Sequence, residues 1–478
     1  MTASSVSLLD LSRKRRIGIL LICCMSLFIV GLDNTIVNVA LPSIGRAFHA
    51  SLSGLQWIVD AYTLILASFL MLSGSTADRV GRRRTFQSGL LLFSLGSLAC
   101  SLSPNLGSLV GFRMLQAIGG SMLNPVALSI ITNTFTEPKE RAQAIGVWGA
   151  VVGVSMALGP IVGGALVTSV GWESIFWINV PIGVAALLLA GRFIPESKAA
   201  HARRVDPFGQ VLIVIFLGTL TYGIIEGPGS GWTSPSELLI FAISVVSLVV
   251  LVFAELHRNE PLIDLRFFRS IPFTGATLVA IGAFVSLSGF LFLNTLYLQN
   301  VRGLTPLGAG IDTLPMASMS IVCSPLSGRL VGTLGPRVSL IIGGVGLGVG
   351  ALLLVTLTAT TPFAFLFLAY VVFGVGFGFI NAPITNTAVS GMPRAQAGVA
   401  AAVASTSRQV GQSLGVAIVG ALAAVGSGTY LGRGFTSSTH SSWLVMVVIG
   451  IVIVTIGFAT TTPWAKQSAQ RTAERFGR

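Results

Sequence analysis

Charge is what this chain has least of. Only 9% of its 478 residues are Asp, Glu, Lys or Arg, while 53% are hydrophobic and mean hydropathy is +0.85. Soluble domains carry about 25% charged residues, so a water-solvated globule is excluded and much of the surface must face lipid. Cysteine and histidine are also scarce, at four each. Cys23, Cys24, Cys100 and Cys323 lie inside apolar runs, at spacings that suggest neither a zinc site nor a disulfide framework, and read as small packing residues. No Gly-Lys-Ser/Thr loop occurs, which excludes P-loop ATP hydrolysis. Gly374, Gly376 and Gly378 lack the strand–turn–helix context of a dinucleotide site. Gly411-Gln412-Ser413-Leu414-Gly415 has nucleophile-elbow spacing but sits in an apolar helical run, and His49, His201, His257 and His440 fall in loops or at span ends. The chain is therefore read as no enzyme, with no cofactor and no metal.

What is present is a series of apolar runs, each near the roughly 20 residues that cross a bilayer as a helix. Fourteen are expected: 17–40, 54–76, 84–102, 107–131, 142–168, 175–194, 207–226, 237–256, 272–298, 306–333, 338–358, 363–388, 396–426 and 441–462. The net charge of +13 is a topology signal rather than a nucleic-acid footprint. With a cytoplasmic amino terminus, 24 of the 29 Lys and Arg fall on the cytoplasmic side, in 13–16, 79–84, 139–141, 192–204, 258–269, 329–337, Arg394 and 466–478. Arg46, Arg302 and Arg433 fall outside, and Arg113 and Arg408 lie within spans. This predicts a multi-pass protein of the cytoplasmic membrane with both termini inside. The first run is longer than a signal peptide's apolar region and reads as a retained helix.

Self-similarity divides the chain. Gly74, Gly81 and Arg83 recur as Gly328, Gly335 and Arg337, and Arg141-Ala142-Gln143-Ala144 recurs as Arg394-Ala395-Gln396-Ala397, at offsets of 254 and 253. Two related six-helix halves are expected, 1–194 and 257–478, joined through a cytoplasmic linker, 195–206, and an inserted helix pair, 207–256. Parallel repeats of this kind place a binding site between the halves near mid-membrane. Glycines four apart, Gly149 and Gly153, Gly159 and Gly163, and Gly411 and Gly415, suit close helix packing in lipid, and Pro160 is expected to bend its helix.

Three charged side chains fall inside apolar spans at one depth. By a rise of about 1.5 Å per residue, Asp33, Asp60 and Arg113 all lie roughly one-third of the way in from the outer face, where they could meet. A charge at membrane depth costs about 2.5–3.5 kcal/mol on insertion scales, and such residues commonly mark a substrate or proton path. Burial favours a protonated carboxyl and a guanidinium favours an ionised one, so Asp33 with Arg113 is suited to load and release a proton. A static ion pair that only positions helices is the alternative. Asp60 serves proton transfer, attracts a cationic substrate, or is wetted from outside. Arg408 is deep in its span with no evident acidic partner in the second half.

These residues also carry a resemblance. Leu32-Asp33-Asn34-Thr35-Ile36-Val37-Asn38-Val39-Ala40-Leu41-Pro42 resembles the first-helix signature of the fourteen-helix drug/proton antiporters of the major facilitator superfamily, the EmrB/QacA-like group. Gly74-Ser75-Thr76-Ala77-Asp78-Arg79-Val80-Gly81-Arg82-Arg83-Arg84 resembles that superfamily's loop between helices 2 and 3, with Thr76 where an apolar residue is usual. Arg113-Met114-Leu115-Gln116-Ala117-Ile118-Gly119-Gly120 resembles its fourth-helix motif, with Ala117 in place of glycine. The stretch from Gly153 to Gly164, through Gly159, Pro160 and Gly163, resembles the fifth-helix antiporter motif, and the likeness extends over Phe176–Pro181 and Ser407-Arg408-Gln409. It implies an all-α integral membrane fold and proton-coupled export of amphiphilic drugs or antibiotics by alternating access. Asp33, Arg113 and Asp60 would then couple protons, and Gly74, Asp78, Arg79, Gly81 and Arg82 would form a cytoplasmic latch binding helix ends and carboxylates of the other half. Asn34, Asn38, Trp57, Tyr62, Gln116, Asn294 and Arg408 are expected to line the substrate cavity. The expected partners are a small-molecule substrate, protons and lipid. The sequence sets neither substrate breadth nor an accessory envelope protein. A narrow exporter of one metabolite or self-made antibiotic, a passive channel and a membrane enzyme are the competing readings.

Overall fold

A chain in hydrocarbon must satisfy its backbone polar groups within its own helices, and the apolar runs do so. The computed structural model describes residues 12–199, 206–258, 263–389, 397–426 and 434–476, and these are helical nearly throughout. The first part supplies α1 (Arg13–Phe48), α2 (Leu52–Val80), α3 (Arg82–Ser101), α4 (Leu106–Thr134), α5 (Pro138–Ser169), the one-turn α6 (Ser174–Trp177) and α7 (Asn179–Phe193). A hairpin of α8 (Pro207–Ser230) and α9 (Pro235–His257) follows. After a 3-10 turn, Leu265–Arg269, come α10 (Ile271–Leu296), extended by a π-helical turn at Tyr297–Val301, α11 (Pro306–Asp312), α12 (Leu314–Leu334), α13 (Pro336–Val355) and α14 (Phe363–Val389). The chain continues through α15 (Ala397–Gly426), α16 (Phe435–Ser438), α17 (His440–Ala459) and α18 (Pro463–Phe476).

Twelve stretches among the described residues are long and apolar enough to cross a membrane, rather than the fourteen expected. The two expected spans outside that set are α3, which opens on Arg82, Arg83 and Arg84, and α15, which carries Arg408, Gln409 and Gln412. The tail 466–478, read only as a basic stretch, is largely helical, in α18. Arg203, Arg204, His201, Arg394 to Gln396, Arg433 and Arg478 lie outside the described residues.

The helices pair twice in one pattern. α1 packs on α4, α5 and α7 as α10 packs on α14, α15 and α17; α3 packs on α4 and α7 as α13 packs on α14 and α17. Glycine sets the same close approach in both places. On α5, a Cβ at Gly159 would overlap Thr35 of α1 and one at Gly163 would sit 2.6 Å from Ile36; on α15, Gly411 and Gly415 lie directly on the backbone of α10 at Ile281 and Val285. The sharp turns into α3 and α13 also match, with Gly81 at φ +128° and Gly335 at φ +80°. These are values that residues with a Cβ rarely adopt. α5 runs through Pro160 as a single helix.

The hairpin lies against the bundle through α8. Gln210 Nε2 donates to the Ser68 carbonyl at 2.8 Å, and Trp57 Nε1 donates to Glu226 Oε1 at 2.7 Å. Two amides join the parts of the chain that repeat. Gln56 Nε2 on α2 donates to the Val416 and Ala417 carbonyls of α15, each at 3.0 Å, and Gln299 Nε2 donates to the Val39 carbonyl of α1 at 2.8 Å. Both contacts lie toward the end of the bundle where α1 turns into α2.

Candidate functional site: a buried ion pair in the first bundle

Arg113 and Gln116, three residues apart, project from one face of α4 toward α1. Arg113 Nη1 donates to Asp33 Oδ2 at 2.5 Å, and the two side chains are 1% and 0% exposed. Gln116 Nε2 donates to Asp33 Oδ1 at 2.9 Å, and Asn179 Nδ2 donates to the same oxygen at 3.1 Å. Arg113 also donates from Nη1 to Gln116 Oε1 at 2.8 Å and from Nε to the Ile58 carbonyl at 3.2 Å. Its guanidinium lies 4.1 Å from the Tyr62 ring centroid. Ser97 Oγ on α3 accepts from Gln116 at 3.3 Å and from Asn179 at 3.1 Å, and donates to the Phe176 carbonyl at 2.9 Å. α4 and the start of α7 thus meet α1 at one carboxylate, and α2 and α3 hold the side chains that bond it. Removing one partner of such a buried pair leaves an uncompensated charge, at a cost of about 3–5 kcal/mol.

The expected meeting of Asp33 and Arg113 is present, with Gln116 and Tyr62 beside it. Asp60 is not part of it. At about 100° per residue, Asp60 faces roughly 160° away from Tyr62 around α2, toward the sides that meet α8 and α15. It is fully buried; Thr63 Oγ1 donates to its Oδ1 at 3.4 Å, while its Oδ2 has no hydrogen-bond partner. Equal depth did not bring the three charges together, because depth does not fix the face. Asn179 and Ser97 were missed. Their signal was polarity inside apolar runs, which for uncharged side chains is weak.

The remaining residues expected at the cavity divide. Trp57 is taken up by Glu226, with its ring 5.9 Å from Tyr222, so it faces the inserted hairpin. The Asn294 amide donates to Thr313 Oγ1 at 3.5 Å and accepts from the Tyr370 hydroxyl, both within the second part of the chain. Asn38 Nδ2 donates to the Asn34 carbonyl at 3.1 Å, while the side-chain oxygens of Asn34 and Asn38 have no partner. Arg408 Nη2 donates to Thr385 Oγ1 at 2.6 Å, and its buried Nε is unpartnered, as are the side-chain oxygens of Gln409, Gln412 and Ser413 nearby on α15.

At the other end of the bundle, Asp78 and Arg82 form an ion pair at 2.9 Å, and Gly74 lies against Pro125 of α4. Among the described residues, a carboxylate of the first half binds the end of this loop. Glu196, just after α7, accepts from the backbone N–H groups of Arg83 at 3.1 Å and Arg84 at 3.3 Å, and the Arg82 N–H donates to the Ser197 carbonyl at 2.9 Å. Gly81 has no side chain to cap α3, so an acid distant in sequence satisfies the helix N-terminus and its positive dipole end. In the fifth-helix motif, Gly153 faces Ile321 of α12, Gly164 abuts Pro306 and Leu307 of α11, and Pro160 lies against Gly310. The motif is therefore packed between α1 and the second part of the chain.

An all-helical membrane bundle with a repeated pairing pattern and a buried ion pair is the architecture of a secondary transporter. The model of the Major Facilitator Superfamily matches residues 23–416, and the chain belongs to that family. It is 37% identical over 400 residues to the "Multidrug resistance protein Stp" of Mycobacterium tuberculosis, covering 84% of this chain and 74% of that protein. It is likewise 37% identical over 406 residues to the "Tetracenomycin C resistance and export protein" of Streptomyces glaucescens, covering 85% and 75%. Among solved structures, a D-xylose-proton symporter superposes with TM-score 0.67 at 16% identity, covering 94% of this chain and 98% of that one, which speaks to the fold alone. The protein is a multi-pass membrane transporter acting on a small molecule, and not an enzyme.

Proposed function

We propose that this protein is a proton-coupled antiporter that exports amphiphilic drugs or antibiotics by alternating access, with Asp33 as the proton site and Arg113 as its counter-charge. The single observation that carries this is the fully buried Asp33–Arg113 pair at 2.5 Å, whose carboxylate also accepts from Gln116 and Asn179. A proton on Asp33 neutralises the carboxylate and frees Arg113 from it, changing what holds α1, α4 and α7 together. The names of the two relatives, one for multidrug resistance and one for export of an antibiotic, support the direction and the cargo class.

The architecture that goes with this reading has fourteen spans, α3 and α15 included, arranged as halves 1–194 and 257–478 with a linker at 195–206 and an inserted pair at 207–256. What supports it is the matched pairing of α3 and α15 with α4 and α10, inside the bundle rather than beside it. Both termini are cytoplasmic on the distribution of basic residues. The Gln56 and Gln299 amides then close the outer end. Asn34, Asn38, Gln412 and Arg408 offer unpartnered polar atoms to a substrate between the halves, and buried polar groups without partners in a packed interior are uncommon. Asp60 is a second carboxylate for coupling. The loop Gly74–Arg82 acts as the cytoplasmic latch, clasped by Glu196 in this state.

A narrower reading, export of one self-made antibiotic, is favoured by the relative named for tetracenomycin C. A growth-inhibition panel on expressing and non-expressing cells separates the two by breadth of protection. Proton movement opposite to substrate, followed with a pH electrode on proteoliposomes, tests antiport itself; substrate flux without proton counterflow would leave a passive channel.

A further inference from the structure

α18 follows α17 by only a short turn and folds back beneath the second half. Ala465, Ala469 and Thr472, at the i, i+4 and i+7 positions of one face, are buried, and the helix packs on α10 and on the 3-10 turn before it. The Ile271 N–H, at the start of α10, donates to Ser468 Oγ at 3.0 Å and fastens the two together. Beside this contact is a pocket of about 310 Å³ lined by Arg269, Ile271, Trp464, Ser468, Arg471 and Thr472. Arg269 ends the 3-10 turn and Arg471 comes from the third turn of α18, so two elements far apart in sequence bring guanidinium groups to one pocket. Neither forms an ion pair among the described residues.

The depth of this pocket is fixed by its neighbours. α10 begins its span at Ile271, and α17 ends its span at Ala459, shortly before Trp464. The pocket is therefore at headgroup level, where Trp is enriched because its ring suits a surface half apolar and half wet, and the Trp464 side chain is 67% exposed there. Two guanidiniums and an indole at that level match a phosphodiester with its glycerol and the first carbons of an acyl chain. Basic pockets between spans on the cytoplasmic side bind such headgroups. We infer that this pocket, between α18 and the start of α10, is a binding site for an anionic phospholipid of the adjoining leaflet. The site is separate from the buried ion pair and does not depend on what the protein transports.

The test uses the full chain in nanodiscs of phosphatidylcholine doped with a minor fraction of either bromine-labelled phosphatidylglycerol or bromine-labelled phosphatidylcholine, the bromines close to the glycerol. The Trp464 signal is isolated as the difference between wild type and Trp464→Phe. Its quenching should be stronger with the phosphatidylglycerol label, and the preference should fall about fivefold with each of Arg269→Gln and Arg471→Gln, the worth of one basic residue near an anionic surface. Arg471→Lys should keep most of it. Should Arg269→Gln unseat α18, seen as new protease cleavage within 463–476, the exposed-site change Arg471→Gln decides. Equal quenching by both lipids, or an undiminished preference in Arg471→Gln, overturns the inference. So does loss of the preference on adding inorganic phosphate at constant ionic strength, since the pocket would then be a small-anion site.

Discussion

Asp33→Asn removes one charge from the most buried ion pair among the described residues while nearly preserving shape. Wild-type Asp33 accepts from Arg113 at 2.5 Å, Gln116 at 2.9 Å and Asn179 at 3.1 Å. The asparagine keeps one acceptor oxygen, and Arg113 keeps the Ile58 carbonyl, Gln116 Oε1 and the Tyr62 ring. The loss should therefore be near the lower end of the range for an orphaned buried charge, about 3 kcal/mol. Arg113→Gln added to it should recover much of that loss, because no uncompensated charge remains, and thermal unfolding of the three variants in one detergent measures the cycle. Transport gives the sharper reading. A pH gradient of one unit stores about 1.4 kcal/mol per proton, enough for about tenfold accumulation in an electroneutral one-for-one exchange. Wild-type proteoliposomes should approach that figure with a fluorescent amphiphile, whereas Asp33→Asn should equilibrate without concentrating it, although binding persists. Uphill accumulation at the wild-type rate in Asp33→Asn refutes the assignment, and Asp60, on the opposite face of α2, becomes the next carboxylate to neutralise.

Reporter fusions after Gly229 and after Arg478 should report outside and cytoplasm respectively; the reverse at either point breaks the fourteen-span topology. Glu196→Ala should lower stability by about 0.5–2 kcal/mol, the usual worth of a helix N-cap, with the loss seen in thermal unfolding. Asp78→Asn should slow flux without weakening substrate binding, because its carboxylate touches Arg82 and not the ion pair, and equal loss of both in a folded variant contradicts the latch. Gln56→Leu removes a hydrogen-bonded amide between α2 and α15; at about 1 kcal/mol net it should raise the population open at that end about fivefold, read as faster thiol labelling in a Val416→Cys background. Gly159→Leu should abolish transport, since its side chain would displace Thr35 of α1, and retained activity would mean that the α1–α5 contact can open freely.

The sequence alone determined the family, the helices and the common level of Asp33 and Arg113. Depth is legible because it depends only on how many residues separate a side chain from the end of its run, at a fixed rise per residue. Hence every expected span is helical where described, and Asp33 and Arg113 were placed correctly at one level. Facing is a different property. It depends on how each helix is rotated against its neighbours, and small packing residues spread around nearly every helix hide that rotation from any periodicity. Only the tertiary structure decided that Asp60 looks toward α8 and α15 rather than Arg113, that Trp57 belongs to Glu226 on the inserted hairpin, and that Asn179 and Ser97 complete the ion pair. The same holds for Glu196, whose role as the cap of α3 joins residues more than a hundred apart, and for α18, whose seat on α10 turns a basic tail into one wall of a pocket.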